Sequence, residues 1–423
     1  MQYFLKFKSI YSTTQWWKNL LMTFLQKVSF CNFIRNNPGL FFAYRRKKIV
    51  IAVASLIIRL FFICWVSLPF LSSKLFSDSM EEIPLDIRNN YAPTFLFLEP
   101  GAVSPITLAK GKSSFTSGYS IANDIKESNL YVNKNIPYAY QRPFLYDYFS
   151  NRYTNPVQAY IVSDLYRFGR LENQYRTSID LESSYVQFRY NYGITDKIEL
   201  GVQASILSFN SGVFDAAINS FHSLVGVYTG KEFVPSNKYK YYISGENGTI
   251  LSTPPRTGLG DSVLSAKWNL KASAENGFSF ALVGLAKVPT GAFRYEMGSG
   301  KPDGGAGFAM KYKYNKIIGY FNAYGIAVSN SIMGKGANLK SYAAATITLE
   351  YLLFEKISFL SQLDVRSAGF SYQSPYLSRP PILISFGANW KVRKTSILQV
   401  SFTEDLSITV PDFTLQILWK EYL

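Results

Sequence analysis

From about residue 113 onward, apolar and polar side chains alternate along the chain with a period of two. In residues 197–207, for example, Ile198, Leu200 and Val202 fall on one face, whereas Glu199 and Gln203 fall on the other. The same pattern recurs in residues 263–270, 346–353, 356–366, 382–390, 397–404 and 413–420. Alternation of this kind predicts β-strands with one apolar face, and it is not the pattern of a helix.

The connections between these segments alternate in length. Short turns are predicted at residues 193–196, 273–277, 315, 354–355 and 393–394, and long connections at 208–260, 288–303, 329–340 and 367–379. Short turns at one end and long loops at the other are the plan of a bacterial outer-membrane barrel. Closure removes the sheet edges and satisfies every backbone group inside lipid. We therefore predict an all-β, transmembrane antiparallel up-and-down barrel of about twelve strands over residues 113–423.

Aromatic residues fall near the strand ends that face the predicted short turns. They are Trp268, Tyr312, Tyr314, Tyr351, Trp390 and Trp419. This is the place of the interfacial girdle of a membrane barrel. The alternative is a soluble β-sandwich, which would turn its apolar faces inward and tolerate shorter strands and loops. The long segments and long connections favour the barrel.

Two stretches break the simple alternation. Ile179 and Leu181 lie in the opposite phase to Val186 and Phe188, and a β-bulge near residues 183–184 would reconcile them. Residues 316–328 are apolar on both faces, so the pattern does not orient this strand.

Composition excludes several classes of protein. Hydrophobic residues make up 48% of the 423-residue chain and charged residues 17%, which excludes a disordered protein. A polytopic helical membrane protein would need several apolar runs of about 20 residues, and one such run is present. The net charge of +16 is concentrated in residues 1–73, which contain ten Lys and Arg and no Asp or Glu. The remainder is close to balanced, so the charge gives no support for nucleic-acid binding.

The N-terminal region divides into three predicted segments. Residues 1–44 form a basic extension, which an over-long reading frame would explain. Residues 45–73 combine a basic cluster, an apolar run and small residues, which predicts an export signal or an uncleaved membrane anchor with a short helix. Residues 74–112 have no clear period and are interpreted as an extended lead-in or plug. Both cysteines, Cys31 and Cys64, precede residue 74, so the predicted barrel has neither a disulfide nor a thiolate site.

Four short motifs resemble one bacterial family. They are YGITDKIELGV at residues 192–202, FDAAINSFH at 214–222, GLGD at 258–261 and KVPTG at 287–291. The family is an uncharacterised one, a domain of unknown function whose members are presumed to be outer-membrane β-barrels. The resemblance covers roughly residues 110–423. It implies a fold and a location, and it brings no activity and no site residues.

The sequence lacks the residues of the common catalytic and metal sites. His222 is the single histidine, and its neighbour Ser223 falls beside it in a predicted amphipathic loop helix at residues 210–228. Adjacent helical residues do not face each other, so no Ser–His pair forms there. Residues 298–301, GSGK, are followed by Pro302, so they lack the context of a phosphate-binding loop. We predict no enzyme activity, no cofactor and no metal.

The polar faces of the predicted strands suggest a lumen. The lumen-lining candidates are Glu199, Gln203, Lys267, Lys311, Lys313, Glu350, Gln362, Asp364, Arg366, Gln399 and Lys420. Mixed charges along a lumen can set selectivity, which favours a passive, porin-like channel or transporter for small or amphipathic molecules. The same charges could instead pair across strands and fill the interior. An open pore and a filled lumen therefore both remain possible.

A second functional hypothesis uses the loops. A non-conducting structural or interaction barrel would act through the long connection at residues 208–260, because loops often carry function. Under either hypothesis the expected location is the bacterial outer membrane. The expected partners are outer-membrane lipid and the barrel-assembly machinery, with no nucleic acid. The sequence does not name the solute.

Overall fold

The computed structural model describes residues 82–127, 176–212, 238–245, 248–273, 276–330, 338–371 and 375–423. All of them belong to the compact unit that comprises Ser73–Ala217 and Lys231–Leu423. The predicted basic extension at 1–44, the signal or anchor at 45–73, and residues 213–228 of the predicted loop helix lie outside the described residues.

The described residues form fifteen strands and a few single helical turns. The strands are β1 Ser113–Glu127, β2 Arg176–Thr195, β3 Ile198–Asn210, β4 Lys240–Gly245, β5 Gly248–Ser252, β6 Arg256–Leu259, β7 Ser262–Lys271, β8 Gly277–Val288, β9 Asp303–Tyr314, β10 Ile317–Ala327, β11 Tyr342–Leu352, β12 Ile357–Arg366, β13 Ile382–Arg393, β14 Ser396–Asp405 and β15 Phe413–Tyr422. The helical turns are Ala92–Leu96, Phe293–Tyr295 and Pro375–Ser378. Across the described ranges, none of the helices has the length and apolar character to cross a membrane.

Twelve of these strands form a closed antiparallel barrel. Each wall strand pairs with its neighbour along the chain, in the order β1, β2, β3 and then β7 to β15. The ring closes because β1 also pairs with β15, from Ser114↔Tyr422 to Asn123↔Phe413. This confirms the predicted fold class and strand number. The remaining strands, β4 to β6, lie within the long connection between β3 and β7. β4 pairs with the long-connection end of β2, β6 pairs with that of β3, and β5 pairs with β4.

The outer surface of the barrel is apolar along every wall strand. Large side chains such as Leu200, Ile347 and Ile417 are each at least two-fifths exposed, while their strand neighbours are turned inward and covered. The outward faces match the apolar phase of the sequence, as expected for a wall in contact with hydrocarbon. Of the six predicted girdle aromatics, Tyr351 is buried at 4% exposure, and the other five are at least partly exposed near the short turns.

The predicted bulge in β2 is wrong. The register of β1 and β2 runs without a break from Ser113↔Tyr192 to Glu127↔Ser178. Ile179 and Leu181 therefore point into the barrel, where they are fully buried. The apolar residues on the outer face of β2 begin with Val186. The change of apolar phase reflects an apolar interior at this level of the barrel, and the strand itself is regular.

The same interior explains why β10 is apolar on both faces. Ile318, Tyr320 and Ile326 point inward and are buried, whereas Ile317 and Phe321 are exposed on the outside. One face of this strand lies on the apolar outer surface, and the other packs inside the barrel. Two apolar environments on opposite sides of one strand remove the alternation on which orientation from sequence depends.

Candidate functional site

The lumen of the barrel is occupied by residues 82–108 of the same chain, which we call the lumen segment. Its backbone is extended apart from the single turn Ala92–Leu96, and it contains Pro84, Pro93, Pro100 and Pro105. Proline lacks an N–H, so such a segment is unsuited to a place in the wall. Its backbone groups must instead be satisfied by side chains.

Inward-facing polar side chains of the wall provide those partners. Backbone N–H groups of the lumen segment donate to carboxylate or amide oxygens from four strands. The pairs are Asp86 to Gln399 at 3.0 Å, Leu98 to Asp303 at 2.8 Å, Val103 to Asn322 at 3.2 Å and Leu108 to Glu199 at 2.9 Å. The polar inner face of the barrel thus takes the role that a neighbouring strand has in a sheet.

At the level of the long connections, the interior is an apolar core. Phe95 of the lumen segment lies 6.1 Å from the ring of Tyr185 and 5.9 Å from that of Phe209, between ring centroids. Phe97 meets Tyr342 at 5.4 Å and Phe370 at 5.6 Å, both edge-on. These residues are at most 5% exposed and belong to one large cluster that includes residues from the wall and from the lumen segment.

Nearer the short turns, charged contacts hold the lumen segment. Arg189 of β2 pairs with Asp86 at 2.9 Å. Glu82 pairs with both Lys311 and Lys313 of β9. At the long-connection end, Glu99 pairs with Arg366, the last residue of β12. Each of these ion pairs joins a carboxylate of the lumen segment to a cation of the wall, so the two parts are complementary in charge.

The eleven lumen-lining candidates are all inside the barrel. Four of them contact acidic or backbone oxygens of the lumen segment: Lys267 donates to the carbonyls of Ser104 and Ile106, and Lys311, Lys313 and Arg366 form the ion pairs above. Glu199 and Gln399 accept backbone N–H groups from the segment, and Gln203 accepts from Arg189 at 2.6 Å. Lys420 places its ammonium 4.4 Å from the ring centroid of Tyr422.

The other three candidates form wall-to-wall contacts. Glu350 accepts from Tyr320 at 2.7 Å and from Ser358. Gln362 and Asp364 contact each other at 3.0 Å and accept from Thr348 and Thr346, both at 2.7 Å. A role in solute passage for any of the eleven remains a prediction.

The sequence did not identify the partners that fill the lumen. Asp86, Arg88 and Glu99 lie in a stretch without periodicity, and Arg189 lies in a strand whose phase was misjudged. The available signal was the combination of three prolines and four charged residues with large apolar side chains in residues 82–100, which is unusual for a plain linker.

A second charged cluster lies at the long-connection end. The Lys287 ammonium is 2.9 Å from Asp303 and 3.1 Å from Asp261. It also donates to the carbonyl of Leu96 at 2.8 Å and to Ser299 Oγ at 2.8 Å. Burial raises the pKa of the Asp261 carboxyl, against the effect of Lys287. The cluster joins the lumen segment to the 289–302 loop.

Glu296 links two of the long connections. Its Oε1 accepts the backbone N–H of Ser252 at 2.7 Å, and its side chain faces Tyr241. The residue is 4% exposed. Burial raises the pKa of the Glu296 carboxyl to about 7, although the hydrogen bond from Ser252 and the nearby Tyr241 hydroxyl lower it.

A cavity remains between the lumen segment and the wall. Its volume is about 150 Å³, and its lining includes Asp86, Arg88, Glu99, Arg189 and Lys267. Liquid water takes about 30 Å³ per molecule, so the cavity has space for a few waters or one small solute. Among the residues that the structure describes, no group of three or more His, Cys, Asp and Glu is placed to hold a metal ion. His222 lies outside those residues.

These features define the class: a closed twelve-strand antiparallel β-barrel of the transmembrane kind, with an apolar outer wall and a lumen filled by its own chain. Residues 172–419 match the family described as "Protein of unknown function (DUF3187)". This chain belongs to that family, as its motifs suggested. A search of curated proteins found no match.

Solved structures with detectable similarity are also outer-membrane proteins. An outer membrane channel from Pseudomonas putida F1 is 14% identical, with 77% of this chain and 100% of that chain covered and a TM-score of 0.45. The NanC porin is 6% identical over 57% and 94% of the chains, with a TM-score of 0.36. The Pseudomonas putida toluene transporter TodX is 9% identical over 81% and 99%, with a TM-score of 0.33. The fold assignment rests on the strand pairing of this chain itself.

Proposed function

We propose that this protein is a channel of the bacterial outer membrane for small or amphipathic molecules, and that its lumen segment closes it at rest. The observation that carries the proposal is the occupied lumen, in which residues 82–108 leave a cavity of about 150 Å³. Outer-membrane lipid surrounds the wall in this proposal, and the barrel-assembly machinery inserts it. No catalytic role is proposed.

The contacts of the lumen segment support a closed state that can rearrange. Nearer the short turns the segment is held by ion pairs and hydrogen bonds, beside a cavity large enough for a few waters. Charged contacts next to water are weaker than the same contacts in a dry interior, because water screens them. This half of the segment is therefore the part that would move to open a path.

A locking disulfide tests this proposal. The side chains of Asn90 in the lumen segment and Ser120 in β1 meet at 2.6 Å. The double variant Asn90→Cys and Ser120→Cys, with Cys31 and Cys64 replaced by serine, should form a disulfide that ties the segment to the wall. We expect current steps in planar bilayers from the reduced protein and their loss on oxidation.

The matched control ties two wall strands together. Ser385 of β13 and Thr403 of β14 are cross-strand partners with side chains 2.8 Å apart. Cysteines at these two positions, in the same serine background, should leave the current unchanged on oxidation. Absence of current above background from every reduced protein and from wild type would reject the channel.

That last result would favour the alternative of a non-conducting barrel acting through residues 208–260. The filled lumen is compatible with it, and β4 to β6 of this connection extend the wall at the long-connection end. Deletion of residues within this connection should then abolish partner binding while a heat-modifiable barrel remains.

A further inference from the structure

The cavity beside the lumen segment has a mixed lining. It extends from Ser114 and Lys420, near the short-turn end, to Tyr185 and Tyr324 deeper in the barrel. Val283 and Leu285 of β8 contribute apolar surface to the lining. A cavity of about 150 Å³ is large enough to hold a benzene ring, so a small solute with an apolar part fits it.

Most charges around this cavity already have a partner. Arg189 pairs with Asp86 at 2.9 Å, and Lys267 pairs with Glu199 at 3.2 Å. Paired charges of this kind offer little binding energy to a solute, because a solute would have to displace an existing partner.

Arg88 differs from these cations. The carboxylate nearest to it, that of Glu99, is already engaged by Arg366 and by the backbone N–H of Asn89 at 3.1 Å. Arg88 Nε is 3.8 Å from Glu99, beyond hydrogen-bond distance, and this buried atom has no hydrogen-bond partner among the described residues. Its Nη2 donates at 3.4 Å to the carbonyl of Thr94. A guanidinium has five N–H donors, so Arg88 has donors in excess of its acceptors.

Two aromatic rings hold this guanidinium in place. Its central carbon lies 4.9 Å from the centroid of Phe95 and 5.3 Å from that of Tyr185. Stacking of this kind fixes the plane of the group, so little freedom is lost when a ligand binds.

We propose that the cavity is a binding site for a small organic carboxylate that carries an apolar group, with the carboxylate on Arg88 and the apolar group against Val283 and Leu285. A guanidinium matches the two oxygens of a carboxylate with two parallel hydrogen bonds. The apolar part of the lining favours such a ligand over a fully hydrated anion. The site does not depend on conduction, so binding without current would reject the channel and leave this site in place.

Calorimetric titration of the purified full-length protein in detergent tests the site, with sodium benzoate as the probe. We expect saturable binding with a Kd of about 1 mM or tighter. Benzyl alcohol, which is uncharged, and inorganic phosphate, which lacks an apolar group, should each bind at least about tenfold more weakly. Wild type that shows no saturable binding of benzoate, or equal binding of either comparison compound, would overturn the proposal.

Variants locate the site at Arg88. Arg88→Gln should weaken benzoate binding about tenfold or more, because it removes the charge and the paired donors. Arg256→Gln is the matched control, because Arg256 also stacks on an aromatic ring, 4.0 Å from the centroid of Tyr295, but is exposed outside the lumen. Equal weakening by the two changes would contradict the assignment.

A conservative variant keeps the assignment testable if Arg88→Gln does not fold. Arg88→Lys retains the charge but not the planar pair of donors. It should give a heat-modifiable barrel that binds benzoate more weakly than wild type does. Unchanged binding by this variant would place the carboxylate elsewhere.

Discussion

The two halves of the lumen contain the same segment of chain but hold it by different means. Toward the long connections, Phe95 and Phe97 pack into an apolar core with wall residues that are almost completely buried. Toward the short turns, Asp86 and Glu82 pair with arginine and lysine side chains of the wall, and a cavity remains. The outer wall shows no such division, because apolar side chains are exposed along its whole height.

This difference assigns separate roles to the two halves. Burial of aromatic side chains is non-directional and strongly stabilising. Charged contacts contribute less net stability but fix orientation, and they are costly to leave half-satisfied. We therefore expect the apolar half to anchor the lumen segment and the charged half to set its register and its response to solutes.

The largest expected effect is the loss of an aromatic anchor. Phe97→Ala should lower the free energy of unfolding from lipid bilayers by about 3–5 kcal/mol, because it opens a cavity beside Tyr342 and Phe370. The measurement is a denaturant titration followed by tryptophan fluorescence. Phe402→Ala is the control, since Phe402 also contacts a ring, that of Phe386 at 5.5 Å, but is 40% exposed on the outer wall. If both changes cost the same, the apolar core is not the anchor.

A smaller effect is expected from breaking one charged contact. Glu99→Gln should cost about 3 kcal/mol, because it leaves Arg366 buried without its main partner, although Asp364 also lies near this guanidinium. The double variant Glu99→Gln and Arg366→Gln should recover at least half of that loss. A double-mutant cycle in the same denaturant titration measures it. Simple additivity of the two single changes would show that the pair contributes nothing.

The smallest effect concerns pH at the long-connection end. The pKa of Glu296 is about 7 in the folded protein and about 4.5 when the group is free. The folded state therefore holds this proton more tightly, so the local stability of the fold around Glu296 is greatest below the lower value and falls as pH rises between the two, because a buried carboxylate then becomes charged. Amide exchange around Ser252, corrected for intrinsic rates, should accelerate by up to about tenfold per pH unit in this window. Glu296→Gln should remove the pH dependence, and an unchanged dependence would assign it to another group.

The wall could be predicted from the sequence because its environment alternates residue by residue. In β11, Ile347 and Leu349 lie on the apolar outer surface, whereas Thr348 and Glu350 point into the lumen. Turn chemistry at positions such as Asn315, which has a positive φ of 54°, marks the ends of strands. Both signals are local, so they can be recognised in a short stretch of sequence without knowledge of the rest of the chain.

The contents of the lumen could not be predicted in this way. The partners of Asp86 and Glu99 lie about 100 to 300 residues away in the sequence, and no local period marks such pairs. Where the lumen segment makes part of the interior apolar, the period-two pattern no longer distinguishes the inner face of a strand from its outer face, as at Ile179 and Leu181. The candidates inside the wall were identifiable by phase, whereas Arg88, on which the proposed binding site depends, was not.

The pairing of β1 with β15 has a consequence for biogenesis. This seam joins residues about 300 positions apart, and contacts of such separation form late and slowly. The lumen segment lies just before β1 in the chain, so it is joined to one of the two strands that close the ring. We therefore expect the ring to close only after the segment has entered, so that the barrel matures around its own contents.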